Sequence, residues 1–136
     1  MFLLDTCVLS EATKPQKNAG VSQWLTAQNL DEQYVSAVTI GELHYGAKRL
    51  PEGARRRRLS VWIEEIEHDY AGRIVPLDQA VAARWGELRA EHPNMKLADS
   101  QIAATAMTYG FRLVTRNVKD FAPAGLVVVD PWRGAV

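Results

Sequence analysis

The chain has 136 residues, 47% hydrophobic and 24% charged, a length and balance that suit a single domain spanning residues 1–136. Sixteen basic residues offset sixteen acidic ones, which excludes a uniformly basic nucleic-acid binder and leaves any attraction to phosphate local. The lone Cys7 excludes an intrachain disulfide framework and a multi-cysteine zinc site. No apolar run approaches the ~20 residues of a membrane span, and the start reaches Asp5 without a basic leader, so a cytoplasmic protein that meets no membrane is expected.

Phe2-Leu3-Leu4 reads as a short buried strand, followed by a polar turn at Asp5-Thr6. Val8 to Ala12 suits a helical turn or two, and Val21, Trp24, Leu25 and Gln28 sit at the spacing of a second helix. Tyr34-Val35-Ser36 is the next strand. Ile40, Leu43, Ala47 and Leu50 then mark the apolar face of a helix from about Ala37 to Arg49. Pro51 suits the first turn of a following helix that carries Leu59, Ile63, Ile66 and Tyr70 and closes at Gly72. Arg73-Ile74-Val75 is a strand, and a helix runs from about Asp78 to before Pro93. The alanine-rich stretch from Lys96 to Tyr109 is a helix able to lie close to a sheet, with Gly110 as its C-cap. Phe111–Thr115 and Leu126–Val129 are strands, the latter with the all-apolar pattern of a parallel strand covered on both faces. Strands alternating with helices predict an α/β fold with a mostly parallel central sheet.

Ligands in such sheets bind beyond the carboxyl ends of the strands. Asp5 follows the first strand, Asn117 follows the strand ending at Thr115, and Asp99 lies near the start of its helix. All three belong to one edge. Each also has a plainer role: Asp5 as an N-cap, Asp99 as a first-turn carboxylate, Asn117 as a turn residue, Asp120 as a cap or loop residue. Glu42 lies about 100° from Leu43 by helical geometry, at a face boundary, where it is either a pocket wall or solvated. Several carboxylates meeting at one point would repel and take up protons, a problem that a hard divalent cation removes. Magnesium needs only one or two direct carboxylates, so this site requires no His or Cys ligand.

Four stretches carry a family resemblance: Leu3-Leu4-Asp5-Thr6-Cys7-Val8-Leu9-Ser10-Glu11, Ser36-Ala37-Val38-Thr39-Ile40-Gly41-Glu42-Leu43, Ala98-Asp99-Ser100-Gln101-Ile102-Ala103-Ala104-Thr105-Ala106, and Thr115-Arg116-Asn117-Val118-Lys119-Asp120-Phe121. In this order and spacing the whole chain resembles the PIN-domain ribonuclease toxins of VapBC-type toxin–antitoxin pairs, most of all the FitB-like branch. The closing Asp130-Pro131-Trp132 resembles that branch too. The resemblance implies a three-layer α/β/α sandwich that hydrolyses RNA phosphodiester bonds with a metal-activated water. It makes Asp5 and Asp99 the ligands of Mg2+, or of Mn2+, with Glu42 completing the pocket directly or through water. It gives Thr6 a supporting role beside Asp5, and places Thr115 and Asn117 on the fourth side. It also implies a homodimer and a cognate antitoxin seated near the pocket, through which operator DNA would be contacted indirectly. Two positions depart from the pattern. Cys7 stands where Asn is common and reads as a small buried thiol without chemistry. Asn117 stands where many relatives carry an acid, and Asp120 substitutes for it if the loop turns inward.

The block Arg55–Arg58 reads first as a solvated helix face. Arginines at a helix start oppose its dipole, so Arg56 and Arg57 are also candidates for contact with RNA phosphates or an acidic partner segment. His44, His68 and His92 occupy no catalytic spacing and read as surface or rim residues; Trp24, Trp62 and Trp85 read as core. Trp132 suits tail packing or an interface. Two other functions fit parts of the sequence. A PIN fold without catalysis, acting in a repressor complex, is favoured by Asn117 alone. A different metal-dependent phosphohydrolase is disfavoured because the first strand offers one Asp rather than an acidic pair.

Overall fold

Every strand of this chain is short, and each is placed by what its alternate side chains bury. The computed structural model describes residues 1–133; the expected domain span includes 134–136, which lie outside the described residues. In chain order the elements are β1 (Phe2–Leu4), α1 (Thr6–Glu11), α2 (Ala19–Ala27), β2 (Gln33–Ser36), α3 (Ala37–Lys48), α4 (Ala54–Asp69), β3 (Ile74–Val75), α5 (Gln79–Glu91), α6 (Leu97–Tyr109), β4 (Arg112–Val114), α7 (Val118–Phe121) and β5 (Val128–Val129), with short 3-10 turns at Leu30–Glu32, Ala122–Ala124 and Pro131–Arg133. The strands form one five-stranded sheet in the order β3-β2-β1-β4-β5, and every pairing is parallel.

The period of two along each strand divides the core into two layers. Leu4, Val35 and Val114 point to one face, where they meet Val8, Val21, Trp24, Leu43 and Ile63 from α1 to α4. Leu3, Val75 and Leu113 point to the other, against Leu88, Ile102, Ala103 and Phe121 from α5, α6 and α7. The result is the α/β/α sandwich. The alanines of α6 let that helix lie against β1 and β4, because a side chain of one carbon sets the closest approach. Ala103 and Ala104 are fully buried. Gly110 ends α6 with φ +69°, the left-handed conformation in which a Cβ would clash, and the chain turns straight into β4.

Three expectations need correction. Pro51 does not open a helix: α4 begins at Ala54, with Gly53 before it, and Pro51 lies in the connection. Its ring acts backwards, disfavouring helical backbone at Leu50, so it helps to end α3 at Lys48. The apolar face of α3 is rotated from the expected one, since Thr39, Leu43 and Ala47 are its buried residues while Ile40 and Leu50 are half-buried. The strand at Leu126–Val129 shrinks to Val128–Val129, because β5 is an edge strand with a ladder on β4 alone. Val128 and Val129 still pack on opposite faces, whereas Val127 is 65% exposed.

Trp132 packs with the tail. It lies against the α1–α4 core, under the Arg116 guanidinium, while a Cβ on Gly20 would run into the Pro131 carbonyl, so the last turn fits only a glycine on α2. Among the described residues no helix is long and apolar enough to cross a membrane.

Candidate active site

In a sheet of parallel strands all carboxyl ends share one edge, and the helices returning across the faces bring their N-termini or their connecting loops to it. Asp5 is the first residue past β1. Its backbone N–H continues the ladder to the Val114 carbonyl at 2.9 Å, so its side chain leaves the sheet at a fixed point. It is 6% exposed. Its Oδ1 accepts the Thr6 N–H at 2.8 Å and caps α1, and its Oδ2 accepts the Thr115 hydroxyl at 2.7 Å. Asp5 therefore makes both the cap on α1 and a tie to Thr115. One oxygen serves each.

Thr115, just past β4, is itself fully buried and is fixed from the other side by the Asn117 N–H at 3.0 Å. Thr6, at the start of α1, donates its hydroxyl to Glu42 Oε1 at 3.2 Å. Glu42 reaches from the second turn of α3. Glu42 is exposed as a residue, yet partial burial of its carboxyl group pushes its pKa above the ordinary glutamate value; the Thr6 hydrogen bond opposes this, and the charges of Asp5 and Asp99 add to it. Asp99 stands in the first turn of α6, half-buried. Burial raises its pKa, then the charges of Asp5 and Asp120, with Lys96 easing the strain. The charges of Asp5 and Asp99 act on Glu42, and those of Asp5 and Asp120 act on Asp99.

The fourth side is occupied unevenly. Asp120 repels Asp99 and lines the same cleft. Asn117 is exposed at the start of α7, and its side chain makes no capping hydrogen bond there. Its backbone serves Thr115, and its carbonyl accepts the Asp120 N–H at 3.1 Å. Cys7 lies between Asp5 and Thr115, 3.5 Å from the Thr115 hydroxyl. Burial pushes its thiol above the ordinary value, so it stays protonated and packs. Arg56 and Arg57 lie on another groove, with Glu52, Ser60 and Val61, that shares no residue with the acids.

Sequence reasoning missed the supports beneath Asp99. The Trp85 indole donates to the Ser100 hydroxyl at 3.0 Å, and that hydroxyl donates to the Leu97 carbonyl at 2.7 Å. Arg89 donates to the Met95 carbonyl at 3.0 Å. These bonds clamp the α5–α6 loop and the first turn of α6. The only sequence signal was a serine directly after the aspartate. Glu11 was missed as a structural tie: it is 4% exposed, pairs with Lys14 at 3.0 Å, and accepts the Asn18 N–H at 3.0 Å, which holds the start of α2 against α1.

Among the described residues no three His, Cys, Asp or Glu side chains form a ready cage for a metal. A hard cation with few protein ligands fits this donor set nonetheless. All the pocket donors are oxygens, and Glu42 and Asp99 both carry a raised pKa that a nearby positive charge would reverse.

The carboxyl edge of this parallel α/β/α sandwich thus gathers Asp5, Glu42 and Asp99. Residues 2–124 match the family model described as "PIN domain". The chain is 36% identical over 140 residues to the VapC ribonuclease Y4jK of Sinorhizobium fredii, covering 99% of this chain and all of that protein. It is 37% identical over 138 residues to the toxin FitB of Neisseria gonorrhoeae, covering 98% and 99%. It superposes on FitAB bound to an IR36 DNA fragment with a TM-score of 0.88 at 36% identity, covering 97% of this chain and 96% of that one. The chain belongs to the PIN domain family, within its VapC and FitB group of ribonuclease toxins.

Proposed function

We propose that this chain is a Mg2+-dependent endoribonuclease, Mn2+ being a chemical alternative, and that it is the toxin of a type II toxin–antitoxin pair. One observation carries the reading: Thr6 ties Asp5 and Glu42 together, its N–H meeting the Asp5 carboxylate at 2.8 Å and its hydroxyl meeting Glu42 at 3.2 Å, with Asp99 near enough for its charge to act on Glu42. Asp5 and Asp99 would hold the ion, and Glu42 would reach it directly or through water. When bound, the ion supplies an activated water and neutralises charge on the phosphate under attack. The chain's own residues set the geometry. Thr115 locks the Asp5 carboxylate by its 2.7 Å hydrogen bond, and Thr6 turns Glu42 inward. Asn117 and Asp120 form the fourth side.

The remaining parts of the reading follow from relatives. The FitAB complex on DNA supports a cognate antitoxin as partner, with operator DNA reached through it. A single PIN domain over 1–136, a homodimer and a cytoplasmic site of action are proposed with it. Arg56 and Arg57 are proposed as an RNA or partner contact. Purified protein incubated with single-stranded and structured RNA should cleave with magnesium, stop with EDTA, and stop as Asp99→Asn. Equal cleavage in all three conditions would remove the mechanism.

A further inference from the structure

We infer that the cleft between the α5–α6 loop and α7 seats the nucleotide next to the scissile phosphate, with Lys96 and Lys119 gripping its phosphate; this rests on the nuclease reading above. The cleft measures about 430 Å³, within the size range of ordinary small-ligand sites. Glu91, His92, Asn94, Lys96, Asp99, Lys119 and Asp120 are among its lining, so the proposed metal ligand Asp99 is part of its wall.

The electrostatic reason is simple. A polyanion must approach a pocket that carries four acids in a chain of zero net charge. It needs cations beside that pocket. Arg56 and Arg57 line a groove that contains none of the acids. Lys96 and Lys119 do share a wall with Asp99 and Asp120, one at the start of α6 and one in α7. Both are exposed, and among the described residues neither has an ion-pair partner within 4.0 Å. Their charge is available to a ligand. Asn94 and His92 add further hydrogen-bonding groups on the loop side, suited to a ribose or a base edge. A cleft of this volume holds one unstacked nucleotide.

The test uses the full chain and its Lys96→Ala/Lys119→Ala double variant. Both lysines are exposed and neither belongs to the core, so the variant keeps its fold. Binding is measured with a 2′-O-methyl single-stranded oligonucleotide, which resists hydrolysis, at several salt concentrations. We expect affinity to fall about tenfold, and the dependence of log affinity on log salt to flatten by ~0.7, the value of one single-strand phosphate contact. With cleavable RNA, KM should rise by a similar factor while kcat stays within about threefold. A duplex of the same sequence should bind the wild type more weakly than the single strand. Unchanged affinity and salt slope in the double variant would overturn the assignment, as would a loss confined to antitoxin binding. Wild type that never cleaves RNA in magnesium would instead sink the nuclease reading. The binding assay would still decide the cleft by itself.

Discussion

The two ends of the sheet are built on opposite principles. At the carboxyl edge, Asp5, Glu42, Asp99 and Asp120 crowd together, and two of them have pKa values pushed up by burial and by one another. At the amino edge, aromatic rings fill the equivalent space: Tyr34 and Phe111 lie 4.9 Å apart and Tyr109 is 6.4 Å from Phe111. One end spends stability by concentrating like charge. The other adds it by packing rings. Stability and chemistry are separated by the length of a three-residue strand, so substitutions at the two ends should act on different observables.

The largest expected effect is on turnover. Asp5→Asn keeps an N-cap on α1 but removes a charged oxygen from the pocket, and a metal's transition-state stabilisation is worth several kcal/mol, so cleavage should fall by about 10²–10⁴-fold with the melting curve little changed. Steady-state cleavage beside a thermal melt checks both halves. Next comes Thr115→Val, which leaves Asp5 Oδ2 without its buried donor. Losing such a support costs about 10–100-fold in metal affinity, read as a rightward shift of the magnesium activation curve. At the amino edge, Phe111→Ala should cost roughly 1–3 kcal/mol in denaturant unfolding and leave kcat unchanged once folded. If Phe111→Ala altered kcat at full folding, the separation of the two ends would be wrong.

Two smaller effects sharpen the contrast. Asp99→Asn removes one of the crowded charges, so in EDTA it should unfold at higher denaturant than the wild type, by less than about 1 kcal/mol because the half-exposed group is screened. Magnesium should abolish that advantage. The smallest effect concerns Asp78, which caps α5 and accepts the Tyr109 hydroxyl. That hydroxyl, then the Val81 N–H, holds the Asp78 pKa below its usual 3.8, while the same bond raises Tyr109 above 10.0. The depressed acid contributes stability above pH 3.8 that is lost as pH falls through its folded value, and the raised phenol contributes stability below pH 10.0 that is lost as pH rises through its own. Tyr109→Phe should flatten the stability profile at both extremes. An unchanged profile would show that the bond does not form in solution.

Much of this was legible from the chain because local rules and global fold agree. Helical periodicity, the alanines of α6 and Gly110 predict elements whose positions the sheet merely accepts. Asp5 and Asp99 could be placed at one edge because parallel topology leaves them nowhere else. The errors came where a neighbour in space decides. Leu126 and Val127 have strand character, but only β4 is present to pair with that segment. Pro51 obeys its own dihedral and still opens no helix. Lys96 and Lys119 stand 23 positions apart in sequence, and nothing local says that one cleft joins them. The Trp85–Ser100 clamp was likewise hidden, since a tryptophan in an apolar stripe looks like any core residue.

The hydrogen bond from Thr115 to Asp5 also sets an order in time. It joins residues 110 positions apart, and β1 has no β4 partner until that distant segment exists. A ribosome making this chain must therefore release the segment through Thr115 before the acid pocket can close. Stalled or prematurely ended products carry Asp5 and Glu42 without the strand that orients them.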